Sequence, residues 1–84
     1  MTELIKVPNI GEVLANKLYA AGIHNLDTLK KLGSRQAFLK LRGQDPTACL
    51  NTLYALEGAI QGIRWHFLQD YEKQELKEFF GALK

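Results

Sequence analysis

The sequence predicts an all-α fold: a compact bundle of five to six short helices forming a single domain over residues 1–84. Three observations predict it. β-branched residues are scarce and no stretch alternates apolar with polar for long, so strand signals are absent. Apolar residues recur instead at helical spacing. Helix punctuation is frequent, with capping residues ahead of the apolar runs and glycine or proline behind them.

Each element follows from its own residues. A short helix near Glu3–Lys6 is stopped by Pro8, which lacks an N–H and clashes with a preceding turn. The next helix runs from about Gly11 to Ala21, with Ile10, Leu14, Leu18 and Ala21 on one side and Gly22 as its left-handed terminator. Asn25 is the N-cap of a helix through Leu32 that buries Leu26, Leu29 and Leu32 and ends at Gly33. Ser34 caps another, in which Phe38 and Leu41 share a face, and Gly43 closes it. Asp45-Pro46 opens the longest helix, Asp as N-cap and Pro at the first helical position. In it Cys49, Leu53, Leu56, Ile60 and Ile63 form a stripe, with Leu50 and Tyr54 beside it. That breadth of apolar surface predicts a central helix. A final helix from about Asp70 places Leu76, Phe79, Phe80 and Leu83 on one side, and Glu72, Lys73, Glu75, Lys77 and Glu78 mostly on the other.

Composition bounds the class. A chain of 84 residues buries roughly 60% of its unfolded surface, so the core is modest. At 46% hydrophobic and 24% charged residues it has the composition of a soluble globular domain. No segment approaches the ~20 apolar residues of a membrane span, and the N-terminus lacks the basic-then-apolar order of a signal peptide. Cys49, the single cysteine, allows no internal disulfide, and a reducing cytoplasmic setting is the expectation. The net charge of +2 is uneven: residues 25–43 carry Lys30, Lys31, Arg35, Lys40 and Arg42 against Asp27 alone. Such a stretch is either an anion-facing surface or an ordinary solvated face.

Val7-Pro8-Asn9-Ile10-Gly11 reads as a tight turn feeding a helix. Backbone N–H groups at such a helix start can hold a phosphate. The same shape also joins two packed helices, and both uses stay open at this level.

The order Val-Pro-Asn-Ile-Gly, then Ala-Ala-Gly-Ile-His-Asn-Leu-Asp-Thr-Leu-Lys-Lys-Leu-Gly, then Leu-Tyr-Ala-Leu-Glu-Gly-Ala-Ile-Gln-Gly-Ile-Arg-Trp resembles the C-terminal domain of the TfoX/Sxy competence-regulator family. The resemblance runs from about Leu4 to Leu76. It implies a helical domain similar to helix-hairpin-helix and SAM-like modules, in a bacterial cytoplasm. Family members regulate DNA-uptake genes with the transcription machinery. They carry a second, N-terminal domain for which 84 residues leave no room. The partners it implies are a protein of the transcription machinery or such an N-terminal domain, with duplex DNA and a homodimer as further candidates.

In DNA-binding helix-hairpin-helix modules a hydrophobic-Pro-Gly-hydrophobic-Gly turn sets backbone amides against phosphates without reading sequence. Val7, Pro8, Ile10 and Gly11 match, and Asn9, which tolerates positive φ, stands at the first glycine. Glu12 departs from the pattern: it suits the helix dipole but repels a phosphate. The candidate nucleic-acid surface is therefore Lys6, Pro8, Asn9, Ile10, Gly11, Lys17, Lys30, Lys31 and Arg35. No aromatics interleave with these charges, and no recognition-helix signature is present, so neither single-strand stacking nor base readout is expected. The competing candidate is a protein-docking surface including Trp65, Phe67, Phe79 and Phe80. Glu12 and the low net charge favour docking.

Other residues have ordinary readings. Gly58-x-x-x-Gly62 marks close approach of a neighbouring helix, and Cys49 is a small core residue. Trp65, Phe67 and Tyr71 form a hinge cluster between two helices, or a protein-binding patch if exposed. His24 and His66 lie far apart with no zinc-ligand spacing, so neither metal nor cofactor is expected. Glu72, Glu75 and Glu78 form a solvated face. No catalytic constellation is visible, and the expectation is a non-enzymatic regulatory module.

Overall fold

A computed structural model describes residues 3–83. Among them are four α-helices, two 3-10 turns and no strand. A 3-10 turn at Glu3–Lys6 leads into α1 (Glu12–Ala20), α2 (Leu26–Gln44) and α3 (Leu50–Gln61); a second 3-10 turn, Trp65–Phe67, precedes α4 (Asp70–Ala82). No helix among the described residues is long and apolar enough to cross a membrane.

The predicted terminators of α1 and α2 act as expected, with one refinement. After α1, Gly22 takes φ +90°, so that its N–H meets the Tyr19 carbonyl and the Ile23 N–H meets that of Leu18. These are the paired bonds of a Schellman ending, and they carry Ile23 into the core, where it is fully buried. Asn25 caps α2, its side chain accepting from the Thr28 N–H at 2.8 Å. Gly33 breaks α2 in its middle at φ 81°, ψ 161°, a pair that strongly favours glycine. The two halves otherwise run on as one element of 19 residues, longer than α3 at 12.

Several expectations are corrected. Ser34 does not cap the second half of α2; it is buried and donates its hydroxyl to Glu57 Oε1 of α3 at 2.6 Å. Gly43 does not end the helix, which runs to Gln44. Asp45-Pro46 does not open α3, because Asp45 is engaged elsewhere. One carboxylate oxygen takes the Thr47 N–H and hydroxyl in a local turn, and the other takes Lys17. The helix starts at Leu50 instead, which buries Ala48 and leaves Cys49 exposed rather than in the core. Gly62 is not inside α3 but ends it, at φ 76°, with the Ile63 N–H on the Gly58 carbonyl.

The expectation of a central third helix holds: α3 packs against α2, α4 and the Trp65–Phe67 turn. Phe38 of α2 is fully buried with Leu18, Leu29, Leu41, Leu53 and Leu56. Phe80 of α4 meets it edge-on at 5.8 Å between ring centroids, a favoured aromatic geometry. Glu72 accepts the Gln69 N–H at 2.9 Å and so secures the start of α4. On that helix Leu76 is buried, and Phe79, Phe80 and Leu83 pack against the core as the sequence predicts.

Leu56→Ala removes a fully buried side chain from the central helix. It is expected to cost about 2–5 kcal/mol, read as a lower urea midpoint at unchanged slope.

Candidate functional site

The N-terminal hairpin is the natural starting point. The Val7 N–H meets the Leu4 carbonyl and the Ile10 N–H meets that of Val7, closing two tight turns. Asn9 takes φ 72°, the left-handed conformation that asparagine tolerates better than most residues. That conformation directs its carboxamide inward. Its Nδ2 donates to the Ile63 carbonyl at 2.8 Å, and its Oδ1 accepts from the Trp65 N–H at 3.0 Å. The side chain thus pairs with the chain leaving α3 as a strand neighbour's peptide group would. Gly58 makes room: a Cβ there would stand 2.6 Å from Asn9 Nδ2, 2.9 Å from the Ile63 carbonyl oxygen and 3.0 Å from Trp65 Cα. The close approach expected at this glycine comes from the hairpin and the return loop, not from another helix.

Beyond the hairpin, Gly11 precedes α1 in extended conformation, and no side chain caps the helix. Glu12 and Val13 stand exposed in its first turn. An open groove of about 410 Å³ begins here. Val13, Leu14, Leu41 and Thr52 line it, and the Lys17–Asp45 pair adds charge. Lys17 Nζ is 2.7 Å from Asp45 Oδ2. The Lys17 ammonium, and after it the Thr47 hydroxyl, holds the Asp45 carboxyl at about 2, below its ordinary 3.8.

Apart from Lys17, the basic residues up to position 42 divide into two groups. Arg35 lies 3.9 Å from Glu75 and 5.8 Å over the Phe79 ring, and Arg42 stands 5.8 Å over Phe80 and 6.0 Å over Phe38. These guanidiniums flank α4 and stack on its aromatics. Lys6, Lys30, Lys31 and Lys40 are exposed and stand in no ion pair among those the described residues form.

Of the aromatic candidates, Phe67 is 72% exposed and Trp65 half-buried, while Phe79 and Phe80 rest against the core. The expected hinge cluster is therefore split. Trp65 stacks between Tyr54 and His66 at 5.6 and 4.1 Å, while Phe67 and Tyr71, the latter 65% exposed, face solvent. Sequence reading missed Val13, 68% exposed, and Leu39, 40% exposed, as surface apolar residues. The signal for Val13 was its place off the Leu14–Leu18 stripe.

His24 stacks on Tyr19 at 4.0 Å. Ser34 and Glu57 belong to a network in which Gln61 Nε2 donates to both Glu57 and Glu72, tying α2, α3 and α4 together. Among the described residues no group of three His, Cys, Asp or Glu side chains is arranged to hold a metal ion.

Asn9→Ala loses both cross-chain bonds and the tolerance for positive φ, and is expected to destabilise by about 1–3 kcal/mol in urea melts. Gly58→Ala is expected to destabilise too, despite alanine's better helix propensity, because backbone atoms must move. The Asp45 contribution is present above its unfolded pKa and is lost as pH falls from about 4 through about 2. Asp45→Asn should flatten that stretch of the stability–pH curve.

Comparison with known proteins gives a consistent result. The profile of the TfoX C-terminal domain matches residues 1–80. Protein Sxy of Escherichia coli (strain K12) is 35% identical over 77 residues, which cover 92% of this chain and 37% of Sxy. An uncharacterized protein from Listeria monocytogenes, in a triclinic crystal form, superposes with TM-score 0.93 at 50% identity, over 95% of this chain and 91% of that one. A Listeria monocytogenes protein of unknown function in a tetragonal form gives TM-score 0.93 at 49% identity, over 96% and 100%.

Proposed function

The chain belongs to the TfoX C-terminal domain family, and on that premise we propose that it is a non-enzymatic regulatory module that works by docking a protein partner. The partner is a component of the transcription machinery or the remainder of a longer family member, of which this chain spans 37% in the case of Sxy. The observation that carries the reading is the inward turn of the hairpin. Asn9 is committed to Ile63 and Trp65, and the nearest helical cation, Lys17, is committed to Asp45. Glu12 stands exposed where a phosphate would approach the α1 amides. Exposed Val13, Phe67 and Tyr71 supply apolar ground of the kind protein interfaces use.

A second reading, non-sequence-specific DNA binding by a helix-hairpin-helix-like half, draws support from two observations. The N-terminus of α1 has no side-chain cap, and Lys30, Lys31 and Lys40 remain exposed on α2.

Fluorescence anisotropy of a labelled random duplex, titrated at low and near-physiological salt, separates the two. Docking predicts little binding at either salt and no effect of Glu12→Lys. Binding that weakens with a log–log slope of roughly −0.9 per phosphate contact, and strengthens in Glu12→Lys, would overturn the docking reading.

A further inference from the structure

The outward face of α2 concentrates positive charge, with Lys30, Lys31, Arg35 and Lys40 exposed on it. In its second half, residues 34–44, Ala37, Phe38 and Leu41 point into the core. Arg35, Leu39 and Gly43 follow one another at four-residue steps on the opposite side, with Gln36 and Lys40 in the adjacent row. All five are exposed. Nothing lies within 4 Å of where a Cβ on Gly43 would stand. The row is thus a low apolar track, Leu39 beside Gly43, with a guanidinium at one end and an ammonium along its flank. Lys30 and Lys31, exposed on the first half of α2, extend the positive charge, and Asp27 is the single acid of the element.

The geometry points to this face as the docking site for an acidic amphipathic segment of a partner protein, one that sets an apolar side chain on Leu39 and carboxylates on Arg35 and Lys40. The inference rests on the docking reading and names the chemistry of its partner. The fold itself supplies the precedent. Glu75 of α4, on a helix rich in carboxylates, already approaches Arg35, and Phe79 lies under the guanidinium. At 3.9 Å that contact orients Arg35 without saturating its donors. Leu39 decides between a protein and a nucleic acid. An exposed leucine among cations offers nothing to a phosphate backbone, whereas an apolar side chain ringed by charge is how a protein segment is anchored. The one aromatic ring beside these cations, Phe79 under Arg35, is half-buried against the core rather than presented for a base to stack on.

The test is an amide NMR titration of the full chain with a synthetic amphipathic peptide of leucine and glutamate, and separately with a random duplex. The expected result is peptide-induced shifts at Arg35, Leu39, Lys40 and Gly43, with the duplex leaving them unmoved. Lys31→Glu together with Lys40→Glu should weaken peptide binding by about tenfold and flatten its salt dependence. Leu39→Ala should weaken it several-fold while keeping the salt dependence, which a purely electrostatic contact would not do. Circular dichroism verifies that each variant is folded. Peptide shifts centred on Val13 or on Phe67 and Tyr71 would overturn this face while leaving the docking reading in place. Duplex shifts on α2 with none from the peptide would overturn both. Silence from both probes would overturn the face, as would concentration-dependent shifts of the same amides without peptide, since a second copy would then be the occupant.

Discussion

The carboxamide of Asn9 is the constraint on which the two ends of the fold depend. It joins the chain entering α1 to the chain leaving α3, through one bond donated to Ile63 and one accepted from Trp65. Three local features must coincide for it to form. Asn9 must adopt positive φ, α3 must end at Gly62 so that Ile63 and Trp65 turn back, and residue 58 must lack a side chain. Two half-buried backbone groups that lie outside regular helix are satisfied as a result, which unpaired would each cost on the order of 1–3 kcal/mol. Leu4 and Ile10, buried on either side of the turn, gain their place in the core from the same arrangement.

A second constraint shapes the middle of the chain. Gly33 bends α2, and both halves reach the one core, Leu29 from the first and Phe38 and Leu41 from the second. The break places Ser34 against the core, where a hydroxyl needs a partner, and Glu57 provides it. Glu57 in turn shares Gln61 with Glu72, so a single polar network runs from the bend in α2 through α3 to the first turn of α4. It performs across three helices the register-setting that Asn9 performs between the termini of two.

These internal commitments bear on function because they remove groups from the surface. A hairpin whose asparagine faces inward and a lysine held by Asp45 are structural parts before they are binding parts. Arg42, stacked on Phe80 and Phe38, similarly serves the junction of α2 with α4. The exposed cations are a subset of those written in the sequence, and Lys30, Lys31 and Lys40 of α2 are among them.

The sequence by itself determined the helical class, the start of α1 after Pro8, the cap at Asn25, the breaks at Gly22 and Gly33, and the apolar face of α4. Each of these is a local event: a fixed φ, a missing Cβ or a side-chain oxygen within three residues of the N–H it caps. Positive φ at Asn9 was legible for the same reason. The partners of Asn9, Ser34 and Asp45 were not, because each could satisfy a neighbouring backbone group or a group at a sequence distance of 23 residues or more. Asp45 shows the difference most clearly. Ahead of a proline it has every local mark of a helix cap, yet Lys17 and its own turn hold it, and the helix begins at Leu50. Local preferences are worth about 1 kcal/mol, and burying Ala48 while pairing Lys17 is enough to override them. For the same reason Cys49 was read as core and Val13 passed over. Which side of a helix is covered depends on what packs beside it, and that only the tertiary structure decided.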